Sequence, residues 1–124
     1  MRSAMFPRIL GGLTAAYGVY TLVRPQSLAR LAGVVPGNPR AARNARSIGW
    51  AVGGRDLVSG VSMMLAAPGV PLRTAVAARV ACDFGDAVGF GLWASPRARV
   101  KVMSVAAGWG LLCAASYSAA GRTL

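Results

Sequence analysis

Residues 74–94 read TAVAARVACDFGDAVGFGLWA, an apolar run broken only by Arg79, Asp83 and Asp86. Wound as a helix at about 1.5 Å per residue, a run of this length spans about 30 Å, the hydrocarbon thickness of a bilayer. A strand crossing the same distance would be about half as long and would alternate apolar with polar residues, which this stretch does not. The stretch therefore reads as a membrane-crossing helix with ionisable side chains at its middle.

At about 100° per residue, with Arg79 as zero, Asp83 falls at about 40° and Asp86 at about −20°, so the three share one narrow face. Ala77, Ala81, Gly85 and Gly89 cluster roughly opposite, and Val76, Val80, Phe84 and Ala87 lie between. The helix is expected to have a polar face, a packing face of small residues and a lipid face.

Three further runs have the same character, about 5–23, 47–67 and 102–120. Pro25, Pro36, Pro39, Pro68, Pro71 and Ser95-Pro96 punctuate the gaps between them. The expected fold is all-α, a four-helix transmembrane bundle forming a single domain over residues 1–124. Within the longest gap, residues 26–33 place Leu28, Leu31 and Ala32 on one side of a short helix and Arg30 on the other; this segment either lies on the membrane surface or serves as a connector. Arg40, Arg43 and Arg46 then lead into the second span, where they hold its end at the phosphates.

Composition fits a bilayer. Of the 124 residues 55% are hydrophobic, and the net charge of +11 comes from 14 Lys+Arg against 3 Asp+Glu. Such a charge is also expected of nucleic-acid binders, but here the cations gather in the gaps between apolar runs, as in loops facing anionic headgroups. Arg24, Arg30, Arg40, Arg43, Arg46, Arg97, Arg99 and Lys101 fall on one side of the expected bundle; Arg2, Arg8, Arg73 and Arg122 fall on the other. The positive-inside rule then places the first and third loops in the cytoplasm and both termini outside, in a plasma (inner) membrane. The first run follows Arg2 and Arg8 as a signal peptide would, but no small-x-small cleavage site precedes Arg24-Pro25, so it is read as a retained helix.

All three acidic residues, Asp56, Asp83 and Asp86, lie inside apolar runs, the reverse of a soluble protein. In the second span Arg55, Ser59 and Ser62 share a face with Asp56 to one side, at nearly the depth of Asp83. Five ionisable groups at mid-bilayer cost on the order of 10 kcal/mol before pairing. Arg79 with Asp83 one turn on, and Arg55 reaching to Asp83 or Asp86, are the expected pairs. Two arginines against three aspartates leave one carboxyl driven toward its neutral form, with Asp83 and Asp86 titrating as a coupled pair.

Candidate catalytic residues are Asp83, Asp86 and Arg79; candidate binding residues are Arg55, Asp56, Arg79, Asp83, Asp86 and Ser59. The simplest alternative is that the ion pairs only fix helix register. Tyr17, Thr14 and Thr21 in the first span and Ser116 with Tyr117 in the fourth are expected as helix contacts or interfacial anchors. Gly49-x-x-x-Gly53, like the small residues of the third span, allows close helix approach and leaves open a homodimer or a membrane-protein partner. With no histidine and two isolated cysteines, Cys82 and Cys113, neither a metal site nor a cofactor is expected, and both thiols read as inert. No phosphate-binding glycine loop and no Ser/His/Asp or Cys/His set is present, which disfavours ATP hydrolysis and triad chemistry.

Gly54-Arg55-Asp56, followed by Asp83-x-x-Asp86, resembles a family of small four-helix membrane proteins broadly similar to the DoxX-like group. That resemblance implies the fold and the membrane location but supplies no activity. In chemistry alone, an Asp-Arg-Asp set is similar to that of limonene-type epoxide hydrolases, which are soluble and differently folded. Three functions follow as expectations: a proton-exchanging site for a small or lipophilic molecule, with a proton-coupled carrier as its strongest form; an intramembrane acid-base enzyme opening, cyclising or isomerising a lipophilic substrate; or an accessory subunit of a membrane complex.

Overall fold

Proline, glycine and one asparagine set the helix ends in the computed structural model, which describes residues 2–120. The helices are α1 (Arg2–Val23), α2 (Ser27–Leu31), α3 (Pro39–Leu65), α4 (Val70–Trp93) and α5 (Arg99–Ala120). The four long helices correspond to the four expected runs, but all four begin earlier. Helix α3 starts at Pro39 rather than near residue 47, because Asn38 is extended and its side chain accepts a hydrogen bond from Ala41 N at 2.8 Å. An asparagine cap followed by proline in the first turn is a strong helix start, so Arg40, Arg43 and Arg46 are helical rather than a lead-in. Helix α4 starts at Val70 because Gly69, at φ +101°, turns the chain in a conformation that side chains other than glycine resist. Helix α5 starts at Arg99, directly after the Ser95-Pro96 turn.

The long helices associate as two pairs, α1 with α3 and α4 with α5, joined more loosely through α1 with α5 and α3 with α4. The α1–α3 seam is built of glycine. Gly18 meets Gly53 and Leu57, Gly11 meets Gly60 and Met63, and Gly49 sits on the Pro25 carbonyl. The Gly49-x-x-x-Gly53 face is therefore a close-approach face, turned toward α1.

Helix α4 departs from its expected faces. Ala77, Ala81, Gly85 and Gly89 are exposed, and a Cβ at Gly85 or Gly89 would meet no atom within 4 Å. The inward arc is Leu72, Val76, Arg79, Asp83, Ala87 and Gly91, so Val76 and Ala87 belong to the interior rather than to a lipid face. The physical reason is the charge. Arg79 bonds Asp56 and Ser59 of α3 as well as Asp83 on its own helix, so the arc that carries it turns inward.

Two contacts tie the ends together. At one end Ser95 N donates to Ala32 O at 2.9 Å, so α2 tucks against the α4–α5 turn with Leu28, Ala29 and Ala32 buried and Arg30 exposed. The short helix is packed onto the bundle, with its charged side outward. This end gathers Arg24, Arg30, Arg40, Arg43, Arg46, Arg97, Arg99 and Lys101. At the other end Gly69 N donates to Ala120 O at 3.0 Å, and Arg8 donates to the carbonyls of Met64 and Ala66 at the last turn of α3. Arg73 lies at this end too, over the Tyr117 ring at 5.7 Å; Arg122 and the Arg2 side chain lie outside the described residues.

Arg8 was expected only as a loop charge, whereas it neutralises the exposed carbonyls of a helix C-terminus. Arg8→Ala is expected to cost about 1–2 kcal/mol, measurable as a lowered midpoint of thermal unfolding; Arg8→Lys should recover part of it, and an unchanged midpoint for Arg8→Ala would show the cap to be idle.

The exterior is apolar over much of its area. Ile9, Val19, Val58, Leu65, Val88, Leu92, Leu111 and Leu112 are all exposed. Among the described residues α5 alone is long and apolar enough to cross a membrane by length and composition. Helix α4 is excluded by the charges it carries, and Arg55 with Asp56 lowers the hydropathy of α3.

Candidate functional site

Helices α3 and α4 bring five ionisable side chains together. Arg79 is 1% exposed, Asp56 6% and Asp83 5%, while Arg55 and Asp86 are half-buried. One turn of α4 separates Arg79 from Asp83, and the guanidinium grips that carboxylate through Nη2 to Oδ1 at 2.8 Å and Nε to Oδ2 at 3.3 Å. Its Nη1 crosses to α3, reaching Asp56 Oδ1 at 2.7 Å and Ser59 Oγ at 2.8 Å. Arg55 crosses the other way. It holds Asp86 with two parallel bonds, Nη1 to Oδ1 at 2.8 Å and Nη2 to Oδ2 at 2.6 Å, and touches Asp56 Oδ1 from Nη2 at 2.9 Å and Nε at 3.3 Å.

Arg79 thus pairs with Asp83, and Arg55 with Asp86 but not with Asp83. No carboxylate is without an arginine, so the two-to-three mismatch is not carried by one isolated group. It appears instead at the level of atoms. Asp56 Oδ1 takes bonds from both guanidiniums, while Asp56 Oδ2 takes none among the described residues. Among those residues the one fully enclosed side-chain polar atom lacking a partner is Ser27 Oγ, so Asp56 Oδ2 keeps accessible surface.

That surface has a place to face. A cavity of about 430 Å³ lies between the helix pairs, and Asp56, Arg79, Asp83 and Asp86 form its polar wall. Arg55 and Ser59 are not on the lining; they brace it from behind. Ser62, expected on the same face, is exposed and bonded to its own helix through Val58 O.

The rest of the lining is apolar or aromatic, including Leu13 and Tyr17 of α1, Leu28 and Leu31 of α2, Phe90 of α4 and Val105 and Trp109 of α5. Leu13, Tyr17 and Val105 are also exposed, which locates the mouth of the cavity between α1 and α5 on the side of the bundle. Across the same region Trp109 Nε1 donates to Thr14 Oγ1 at 3.0 Å, and Thr14 Oγ1 donates to Leu10 O at 2.8 Å. Thr21 and Ser116 bond only to nearby backbone carbonyls, Tyr17 O and Cys113 O, as helix contacts do.

Sequence reasoning missed Trp109, Phe90 and Leu13. The only signal for Trp109 was an indole N–H within an apolar run, which must find a partner when buried. Among the described residues Cys82 and Cys113 are free thiols, and no group of three or more His, Cys, Asp or Glu is gathered to hold a metal. The chain matches no family model, and no curated protein or solved structure is similar enough to count as a match.

Proposed function

We propose that the chain is an integral membrane protein, a four-helix bundle whose side cavity binds a small lipophilic molecule against the Arg/Asp cluster. The cluster exchanges a proton as the molecule enters or leaves, and a proton-coupled carrier is the strongest form of this reading. The observation that carries it is the cavity itself: an apolar chamber with Asp56, Arg79, Asp83 and Asp86 on one wall and a mouth on the side of the bundle. An ion-pair lock needed only for register has no use for a chamber beside it.

Three observations support the bilayer as solvent. The three carboxylates and their two arginines are turned inward and many large aliphatic side chains outward, on a scale that soluble monomers rarely tolerate. Only 22% of the apolar window of α5 is buried within the protein, where the core helix of a soluble protein would be mostly covered. Eight cations ring one end, several in the first turns of α3 and α5, where a helix end repels them unless anions lie alongside. Membership among DoxX-like proteins is part of the same proposal and rests on the short Gly54-Arg55-Asp56 and Asp83-x-x-Asp86 motifs.

The exposed small face of α4, Ala77, Ala81, Gly85 and Gly89, favours a second helix docking there, as a carrier this small needs in order to enclose a pathway. Native mass spectrometry of the protein released from mild detergent reads both features at once, copy number and retained small molecule. The expected spectrum contains a bound lipophilic species, lost in Ala106→Trp, which fills the cavity from α5. An empty wild-type protein, with a ligand-screening profile that Ala106→Trp leaves unchanged, would defeat the binding reading.

A further inference from the structure

We infer that the cavity takes a protonated lipophilic amine, its ammonium N–H directed at Asp56 Oδ2 and its apolar body lying along the walls. This rests on the binding reading above and specifies its ligand.

Charge comes first. Three carboxylates and two guanidiniums leave the cluster one negative charge in excess, in a setting with little water to screen it. A bound cation with an apolar body removes that excess, and an anion adds to it.

The hydrogen-bond inventory agrees. A guanidinium has five N–H groups. Arg79 commits four of its five, to Asp56, Ser59 and twice to Asp83. Arg55 also commits four, two to Asp86 and two to Asp56. A carboxylate or phosphate entering the cavity would find four of the five Arg79 donors already used. A donor entering it finds an acceptor, because Asp56 is 6% exposed, lines the cavity, and has one oxygen without a hydrogen bond among the described residues.

The walls select the remainder of the molecule. Tyr17, Phe90 and Trp109 line the chamber, and aromatic faces attract cations as well as apolar groups. The volume of about 430 Å³ is that of a site for a small organic molecule rather than for a bare ion. An ammonium with at least one N–H fits both walls. A quaternary ammonium has no proton to give Asp56, and a metal ion leaves the apolar walls uncovered.

The test uses three probes of one shape and different charge, 4-phenylbutylammonium, 4-phenylbutanol and 4-phenylbutanoate. Each is titrated at neutral pH into the detergent-solubilised protein carrying Trp50→Phe and Trp93→Phe, so that only the Trp109 emission is read. The ammonium should bind about tenfold or more tightly than the alcohol, because both can donate to Asp56 but only the ammonium removes the excess negative charge, and the carboxylate should bind weakest. Asp56→Asn should bring the ammonium to the level of the alcohol. Because Asp56 touches both arginines, that variant could lose its fold; the ranking of the three probes on the unaltered cluster decides the matter without it. An alcohol or carboxylate that binds as tightly as the ammonium overturns the amine assignment and leaves the cavity as a binding site. No response to any probe, with Ala106→Phe indistinguishable, overturns both.

Discussion

Arg79→Leu is expected to destabilise the protein by about 3–5 kcal/mol, the cost of breaking a buried ion pair by removing one partner. Asp83 would lose every hydrogen bond it has in the cluster, and Asp56 would keep only the bonds from Arg55. Polar contacts between membrane helices average about 0.6 kcal/mol. A loss several times larger therefore marks a stranded carboxylate rather than missing hydrogen bonds.

The companion variants separate the causes. Arg79→Lys keeps the charge but replaces a planar fork that reaches Asp56, Ser59 and Asp83 together by a single ammonium, so it should fall between wild type and Arg79→Leu. Arg79→Leu with Asp83→Leu removes both the donor and the stranded acceptor, leaves Arg55 with Asp56 and Asp86, and should recover most of the loss. Thermal unfolding in one detergent, followed by circular dichroism, measures all three. An Arg79→Leu midpoint equal to wild type would mean that the network contributes no stability.

The parts of this site that could be read in advance are those set by geometry within one helix or by depth. Arg79 and Asp83 are one turn apart, so their pairing follows from the helix itself. Arg55 and Asp86 meet because the two consecutive helices run antiparallel from a short turn, which places the middles of the two runs side by side. The inward arc of α4 was less accessible. Small residues at 77, 81, 85 and 89 read as a packing face, a rule that holds for α3, yet one helix has two arcs competing for the interior and the charged arc won. The tertiary pairing of α1 with α3 and α4 with α5 has no counterpart in local pattern, and with it went the cavity, the Trp109–Thr14 bond and the role of Arg8 as a cap. Asn38-Pro39 was a readable helix start, obscured by the arginines that follow it.

Gly60→Val should separate the α1–α3 pair and cost about 3 kcal/mol, the upper end of what an overpacked interior usually loses. A Cβ at this position would stand 2.5 Å from both Ala15 N and Gly11 O and 2.9 Å from Ala15 Cα. These are backbone atoms, with no rotamer by which to yield, so α1 itself must move. Gly18 repeats the arrangement from the other side, its Cβ position 2.6 Å from Leu57 N and 2.7 Å from Gly53 O. Asp56 is one turn from Gly60 on the same helix, so the displacement should reach the cluster and weaken probe binding along with stability. Gly85→Ala and Gly89→Ala supply the contrast, since no atom lies within 4 Å of either added carbon. In the detergent-released monomer both should melt at or above the wild-type midpoint, gaining up to about 1 kcal/mol from helix propensity. A lowered monomer midpoint for Gly85→Ala and Gly89→Ala, with none for Gly60→Val, would mean that the α1–α3 seam yields and the open face of α4 does not.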